Sequence, residues 1–266
     1  MNPEQQLHLA VKEKDIKKIE ELLKTGVDIN CLFYGWTPLQ YAVSQGLEQV
    51  ALLLIDKGAD IEKIHHKTDG CPLEGAIKKR LPKVVKVLLD KGTDPNKILS
   101  DGNPAIFTAV EKEYTDILKI LLDGKADPNL LNKAGESALF VSSRDGKFKL
   151  VQVLIEGGAD MDFKCAGSGN QTSLIIATAN EQNNVVKLLL KNRCNINLQD
   201  NDEWTALWHA YSNSDEDMMN LLLKSGANKE IPDSDGRTLL QDAQENDDDS
   251  VVELLQRFTR SWTNTT

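Results

Sequence analysis

Aromatic side chains make up only 5% of this 266-residue chain, and cysteine and histidine are limited to four each. Aromatics supply much of the buried area of large cores, so their scarcity argues against one big globule and for many small layers. The longest strongly apolar run, Val50 to Ile55, is six residues, against the roughly 20 of a membrane-spanning helix. Membrane insertion is therefore not expected. The opening residues MNPEQQLHLAVKEKDIKK turn charged at once and lack the apolar stretch of roughly 7–15 residues that a secretory signal needs.

Cys31, Cys71, Cys165 and Cys194 are scattered without a C-x-x-C pair, which speaks against a zinc knuckle or a redox dithiol. Isolated thiols in an unsignalled chain suit a reducing compartment, so a cytoplasmic or nuclear location is expected. Signatures of catalysis are missing too: there is no G-x-x-x-x-G-K-[ST], no H-E-x-x-H and no G-x-S-x-G. Of the histidines, His65 and His66 are neighbours in a loop, where they point poorly for joint metal binding, while His8 and His209 stand alone. Gly167, Ser168 and Gly169 form a lengthened loop rather than a phosphate cradle, because no strand leads into it. Asp233, Asp235 and Gly236 imitate the start of a calcium loop, but its twelfth position is Gln244 where a glutamate would close it. No cofactor, metal or catalytic set is expected, and the chain reads as a non-enzyme.

What the chain does have is self-similarity. Starting from Thr37, equivalent positions fall at Cys71, Pro104, Ser137, Thr172, Thr205 and Thr238, a period of about 33 residues. Five residues after each stands Ala42, Ala76, Ala109, Ser142, Ala177, Ala210 or Ala243. A position that never exceeds serine in size is one where helices approach closely. Thirteen after each come Val50, Val84, Ile117, Leu150, Val185, Met218 and Val251, which open an apolar stripe at helical spacing. Gly58, Gly92, Gly158 and Gly226 follow 21 after their anchors, where a helix ends and positive φ is needed. Lys125 and Arg193 take that place in two copies, which predicts strained or shifted turns there.

A helix pair of this size cannot bury its stripe alone and must stack on its neighbours. Gly35, Thr37, Pro38, Leu39, Ala42, Gly46, Leu53, Leu54, Gly58, Ala59 and Asp60 resemble the ankyrin-repeat consensus. That resemblance extends over eight copies and implies an all-α repeat solenoid of antiparallel helix pairs with projecting β-hairpin loops. The expected division is an N-terminal tail at 1–4, and then repeats at about 5–31, 32–65, 66–98, 99–131, 132–166, 167–199, 200–232 and 233–257. A C-terminal tail would occupy 258–266. The first and last copies are expected to cap the stack, with Asn246 to Ser250 beginning the final helix.

Function is then sought on the surface. Residues 1–199 hold 26 basic and 26 acidic side chains and residues 200–266 hold 5 and 15, so the net charge of -10 lies in the last quarter. That acidity argues against binding nucleic-acid duplexes and favours encounter with basic partners. Phe33, Tyr34 and Trp36 place three aromatics on one hairpin, as Trp204 does on another, with Trp208 following on the next helix. Exposed rings on a fixed hairpin make efficient anchors for a partner. Lys67, Lys78, Lys79, Lys112 and Arg144, with Arg80, form a mild basic strip suited to an acidic or phosphorylated ligand.

The family resemblance implies a monomeric, non-catalytic scaffold or adaptor that binds proteins or peptides on its concave face and hairpin tips. An alternative comes from GWTPLQYAV with Lys67, which is similar to the ankyrin part of the oligoadenylate-activated ribonuclease. Trp36 would there stack a base and Lys67 meet a phosphate of a nucleotide ligand, although Asn103 stands where a second aromatic would be wanted. The resemblance also implies hydroxylation at Asn30 or Asn197, each eight residues after a leucine in a hairpin loop.

Overall fold

The computed structural model describes residues 1–63 and 70–260, and the chain divides into two compact units, the first ending at Lys133 and the second beginning at Ala134. Unit one contains α1 (Pro3–Glu13), α2 (Ile16–Lys24), α3 (Pro38–Ser44), α4 (Glu48–Asp56), α5 (Pro72–Lys78), α6 (Pro82–Asp90), α7 (Ala105–Glu111) and α8 (Thr115–Asp123). In unit two lie α9 (Ala138–Arg144), α10 (Phe148–Glu156), α11 (Ser173–Ala179), α12 (Asn183–Lys191), α13 (Ala206–Ser212), α14 (Glu216–Lys224), α15 (Leu239–Glu245) and α16 (Asp249–Arg260). Each odd-numbered helix pairs with the even-numbered helix after it, and the pairs stack side by side within their unit.

The repeat anchors act as caps. Thr37, Ser137, Thr172, Thr205 and Thr238 each accept the N–H three residues on, satisfying a donor that the helix start leaves free. Cys71 and Pro104 make no such bond, and there proline at the start of α5 or at the cap of α7 sets the entry angle instead. The seven small residues five positions later are all fully buried, and the apolar residue thirteen later is buried in every copy. Full burial of each Leu, Ile or Val along these seams stabilises the stack by about 1.5–3 kcal/mol.

Two boundaries expected from the sequence differ in the structure. Residues 3 and 4 are not tail but the first turn of α1, because Asn2 and Gln5 close a reciprocal capping box there. At the other end α16 continues to Arg260, past the expected boundary at 257, and 261–266 lie outside the described residues. The expected hairpin loops are present as tight turns, closed among the described residues by the isolated antiparallel bridges Phe33 to Trp36, Ile98 to Pro104 and Cys165 to Gln171. The lengthened loop at 166–168 is one turn of 3-10 helix. A Cβ on Gly167 would lie 1.8 Å from the Ala134 carbonyl oxygen, so this loop packs against the preceding one through bare backbone.

Candidate functional site

In unit one the turn Phe33-Tyr34-Gly35-Trp36 closes with two backbone bonds, Phe33 N–H to Trp36 O at 3.0 Å and Trp36 N–H to Phe33 O at 3.1 Å. Both central residues have positive φ, 50° at Tyr34 and 84° at Gly35, which makes it a type I′ turn. Gly35 meets that requirement at no steric cost, whereas Tyr34 is an L-residue held in the left-handed region. Its ring is 85% exposed at the tip.

Behind the turn, the Thr37 hydroxyl accepts from Gln40 N–H at 3.1 Å while the Gln40 side chain accepts from Thr37 N–H at 3.0 Å, a capping box that fixes α3 against the hairpin. Gln40 Nε2 also donates to Lys63 O at 2.7 Å. His8 fills the equivalent place on α1: its buried ring lies 3.1 Å from Cys31 O, and since a carbonyl only accepts, Nε2 carries the proton. Burial is the main cause that lowers the His8 pKa below 6.5. The His8 ring packs on Phe33 at 5.4 Å between centroids, and Phe33 meets Tyr34 edge-on at 4.4 Å.

Together α1, the hairpin and α3 enclose a cleft of about 570 Å³ walled by Phe33, Tyr34, Trp36, Tyr41, Leu9 and His8. Its polar rim includes Gln5, Gln45, Ser44 and Lys12. Trp36 and Ser44 also wall a second, smaller cleft of about 220 Å³ between α3 and α5, lined further by Glu74, Lys78 and Lys79. Part of that space exists because residue 75 is glycine; a Cβ there would sit 2.7 Å from Val43 Cγ1.

The cations expected to form one basic strip divide between the units and differ in state. Lys78 lies 2.5 Å from Glu74, whose buried carboxylate also accepts the N–H and hydroxyl of Ser100. Arg144, in unit two, donates to Glu136 at 2.8 Å and to Asp145 at 3.0 Å. Both cations are paired within the chain while staying part-exposed, Lys78 at 47% and Arg144 at 38% of the side chain. Lys79 and Lys112 are exposed at the ends of α5 and α7. Arg80 lies over the Tyr114 ring at 5.0 Å and reaches Asp116 at 3.4 Å. Lys67, with His65 and His66, lies outside the described residues.

In unit two Trp204 is half-buried, stacked on Trp208 at 6.0 Å and edge-on to His209 at 5.3 Å. His209 Nε2 lies 2.7 Å from Asp200, whose other oxygen accepts the N–H groups of Asp202 and Trp204. Trp208 is not a contact residue. It is 4% exposed and its indole N–H donates to Ile231 O at 3.2 Å, because the third residue of the first helix points inward, as Gln40 does. Asp233 likewise uses its oxygens on the turn N–H groups of Asp235 and Arg237 and on the Arg237 guanidinium. Sequence reasoning missed His8 and Tyr41 as walls of the first cleft. Only their register on α1 and α3 could have indicated them.

A family model described as "Ankyrin repeats (3 copies)" matches residues 7–99, 73–165, 106–200 and 174–261. Among curated proteins, the ankyrin repeat, SAM and basic leucine zipper domain-containing protein 1 of Dasypus novemcinctus is 44% identical over 52 residues, 19% of this chain and 11% of its own length. Its counterpart from Loxodonta africana is 42% identical over 60 residues, 21% and 13% of the two chains. The match thus spans only about a tenth of these relatives' length. Among solved structures, the ankyrin repeat domain of Bcl-3 superposes with a TM-score of 0.70 at 30% identity, covering 78% of this chain and 93% of that one. The ankyrin repeat protein EF0377 gives 0.61 at 27% identity, covering 69% and 96%. The human ASB11 ankyrin repeat domain gives 0.60 at 22%, covering 77% and 91%, a likeness of fold alone.

Proposed function

The chain belongs to the ankyrin-repeat family, and on that premise we propose that it is a non-catalytic, monomeric scaffold or adaptor that holds a partner protein or peptide. Ankyrin repeats are protein-interaction modules, and their buried seams hold the exposed hairpins and first helices in place. The observation that carries the reading is the Trp36 ridge: one half-buried indole separates an aromatic cleft from a lysine-bearing one, on a hairpin braced by α1 and α3. Rigid aromatic area bordered by charge is how interfaces obtain affinity at small entropic cost.

The contact set is Phe33, Tyr34, Trp36, Lys78, Lys79 and Lys112 in unit one. Arg144 and Trp204 in unit two form a separate, secondary candidate. Affinity enrichment from a cell extract tests this. Trp36→Ala should lose proteins that the wild-type chain retains, and an identical set on both would remove the reading. A nucleotide-sensing role has one support, the same indole beside lysines. A phosphorylated oligoadenylate at 100 times its dissociation constant would then raise stability by about 2.7 kcal/mol, and no thermal shift would dismiss it.

A further inference from the structure

Resting on that reading, we infer that the paired clefts around Trp36 take a short linear acidic peptide, with a bulky aromatic or aliphatic side chain in the first cleft and a neighbouring carboxylate at Lys79 in the second. Four observations point to this ligand class.

The first concerns strain. A type I′ turn favours Asn or Gly at both central positions, yet the first is Tyr34 at φ 50°, with its ring 85% exposed. A non-glycine residue in the left-handed region is strained by the close approach of its Cβ to the backbone. Tyr34 gains an edge-on contact with Phe33 but remains in solvent, and strain of this kind gathers at ligand clamps.

The second is composition. Phe33, Tyr34, Trp36 and Tyr41 all line one cleft, in a protein with fourteen aromatics spread over 266 residues. At about 570 Å³ the cleft is within the roughly 300–1,000 Å³ of built ligand sites.

Charge is the third. Among the described residues, the first cleft is lined by one charged side chain, the cation Lys12. In the second, Glu74 is already engaged by Lys78 and Ser100, so it repels an incoming anion weakly, and Lys79 stands exposed beside it. A positive balance at this spot, in a chain of net charge -10, complements an acidic segment.

The fourth is hydrogen bonding. Gln5 Oε1, Gln45 Nε2 and Ser44 Oγ are engaged internally, which leaves the Gln5 amide N–H groups and the Gln45 amide carbonyl on the rim as the donor and acceptor that an extended peptide backbone can meet. Trp36 and Ser44 border both clefts, so a single strand of peptide crossing that ridge would reach them in succession.

The test pans a display library of random linear peptides on the full chain and, in parallel, on Trp36→Ala. A synthetic peptide of the enriched consensus is then titrated by fluorescence anisotropy against wild type, Tyr34→Asn and Lys79→Glu. Enriched peptides should carry Trp, Tyr, Phe or Leu beside Asp or Glu. Each variant should bind about tenfold more weakly, and a peptide with lysine for its acid should recover affinity for Lys79→Glu. Tyr34→Asn keeps the turn, since asparagine tolerates positive φ, so its melting temperature should not fall while binding does. Wild-type-specific peptides without an acidic residue, or equal binding to Lys79→Glu, would overturn this inference and leave the interaction reading standing. No enrichment over Trp36→Ala would remove both.

Discussion

The side-chain carbonyl of Asn30 accepts the backbone N–H of Asp60 at 2.8 Å, binding one loop to the next repeat's loop. The same bond joins Asn96 to Asp127 and Asn197 to Asn228 at 2.8 Å, and Asp162 takes the role toward Asn195 at 2.7 Å. Each supplies an acceptor to an N–H that the loop itself leaves free. Asn197→Ala should therefore cost about 1 kcal/mol, the usual net value of one such bond. Urea unfolding reads it as a lowered midpoint with unchanged slope, and an unmoved midpoint would show that solvent replaces the bond fully.

Lys125 and Arg193 hold φ of 72° and 64° at the position where Gly58, Gly92, Gly158 and Gly226 hold 87–98°. The strain expected from sequence is thus present as left-handed backbone, not as a displaced turn. Replacing either by glycine relieves about 1 kcal/mol or more but raises the entropy of the unfolded chain. Lys125→Gly and Arg193→Gly should each add about 0.5–1 kcal/mol. Thermal melting that falls in both would contradict this.

His8 makes stability depend on pH. Its folded-state pKa is lowered, chiefly by burial, so below 6.5 the unfolded chain binds the proton first. Stability from this group is complete above pH 6.5 and declines as pH falls from there toward the folded value. Denaturant titrations at pH 7.5 and pH 5.5 should differ more for wild type than for His8→Gln, which has no imidazole to titrate. Equal differences would assign the pH effect elsewhere.

All four cysteines are buried, and burial is the leading cause that raises every one of their pKa values, Cys31 to about 11 and Cys194 to about 12. The thiolate is the reactive form, so the folded protein should resist a charged thiol reagent at neutral pH and react at four sites once denatured. Rapid labelling of the native chain would mean that its seams open locally.

The repeat was legible because its signals are local and recur: caps such as Thr37 and Thr205, the buried small residues from Ala42 to Ala243, and the glycine turns. A second left-handed position was not, since only Gly46 and Gly146 mark it while Arg80, Glu113, Glu181, Ser214 and Asp247 adopt it under the constraint of the helix pair. His8, Gln40 and Trp208 share one structural task, each bonding a carbonyl 23 residues further on, yet three unlike residue types hide the equivalence. That is why neither the burial of Trp208 nor the bracing role of His8 shows in the sequence. The internal pairing of Lys78 and Arg144 was hidden for a similar reason. Glu136 reaches Arg144 only because the chain turns between them, and residue type alone does not reveal a charge already compensated.

Hydrogen–deuterium exchange of the chain with a captured partner, against the chain alone, tests most directly whether the Trp36 hairpin is the binding surface. Added protection should concentrate in peptides spanning 5–12 and 31–45, with a smaller effect near Lys79. Protection confined to the second helices α4, α6 and α8, or to unit two, would contradict the account.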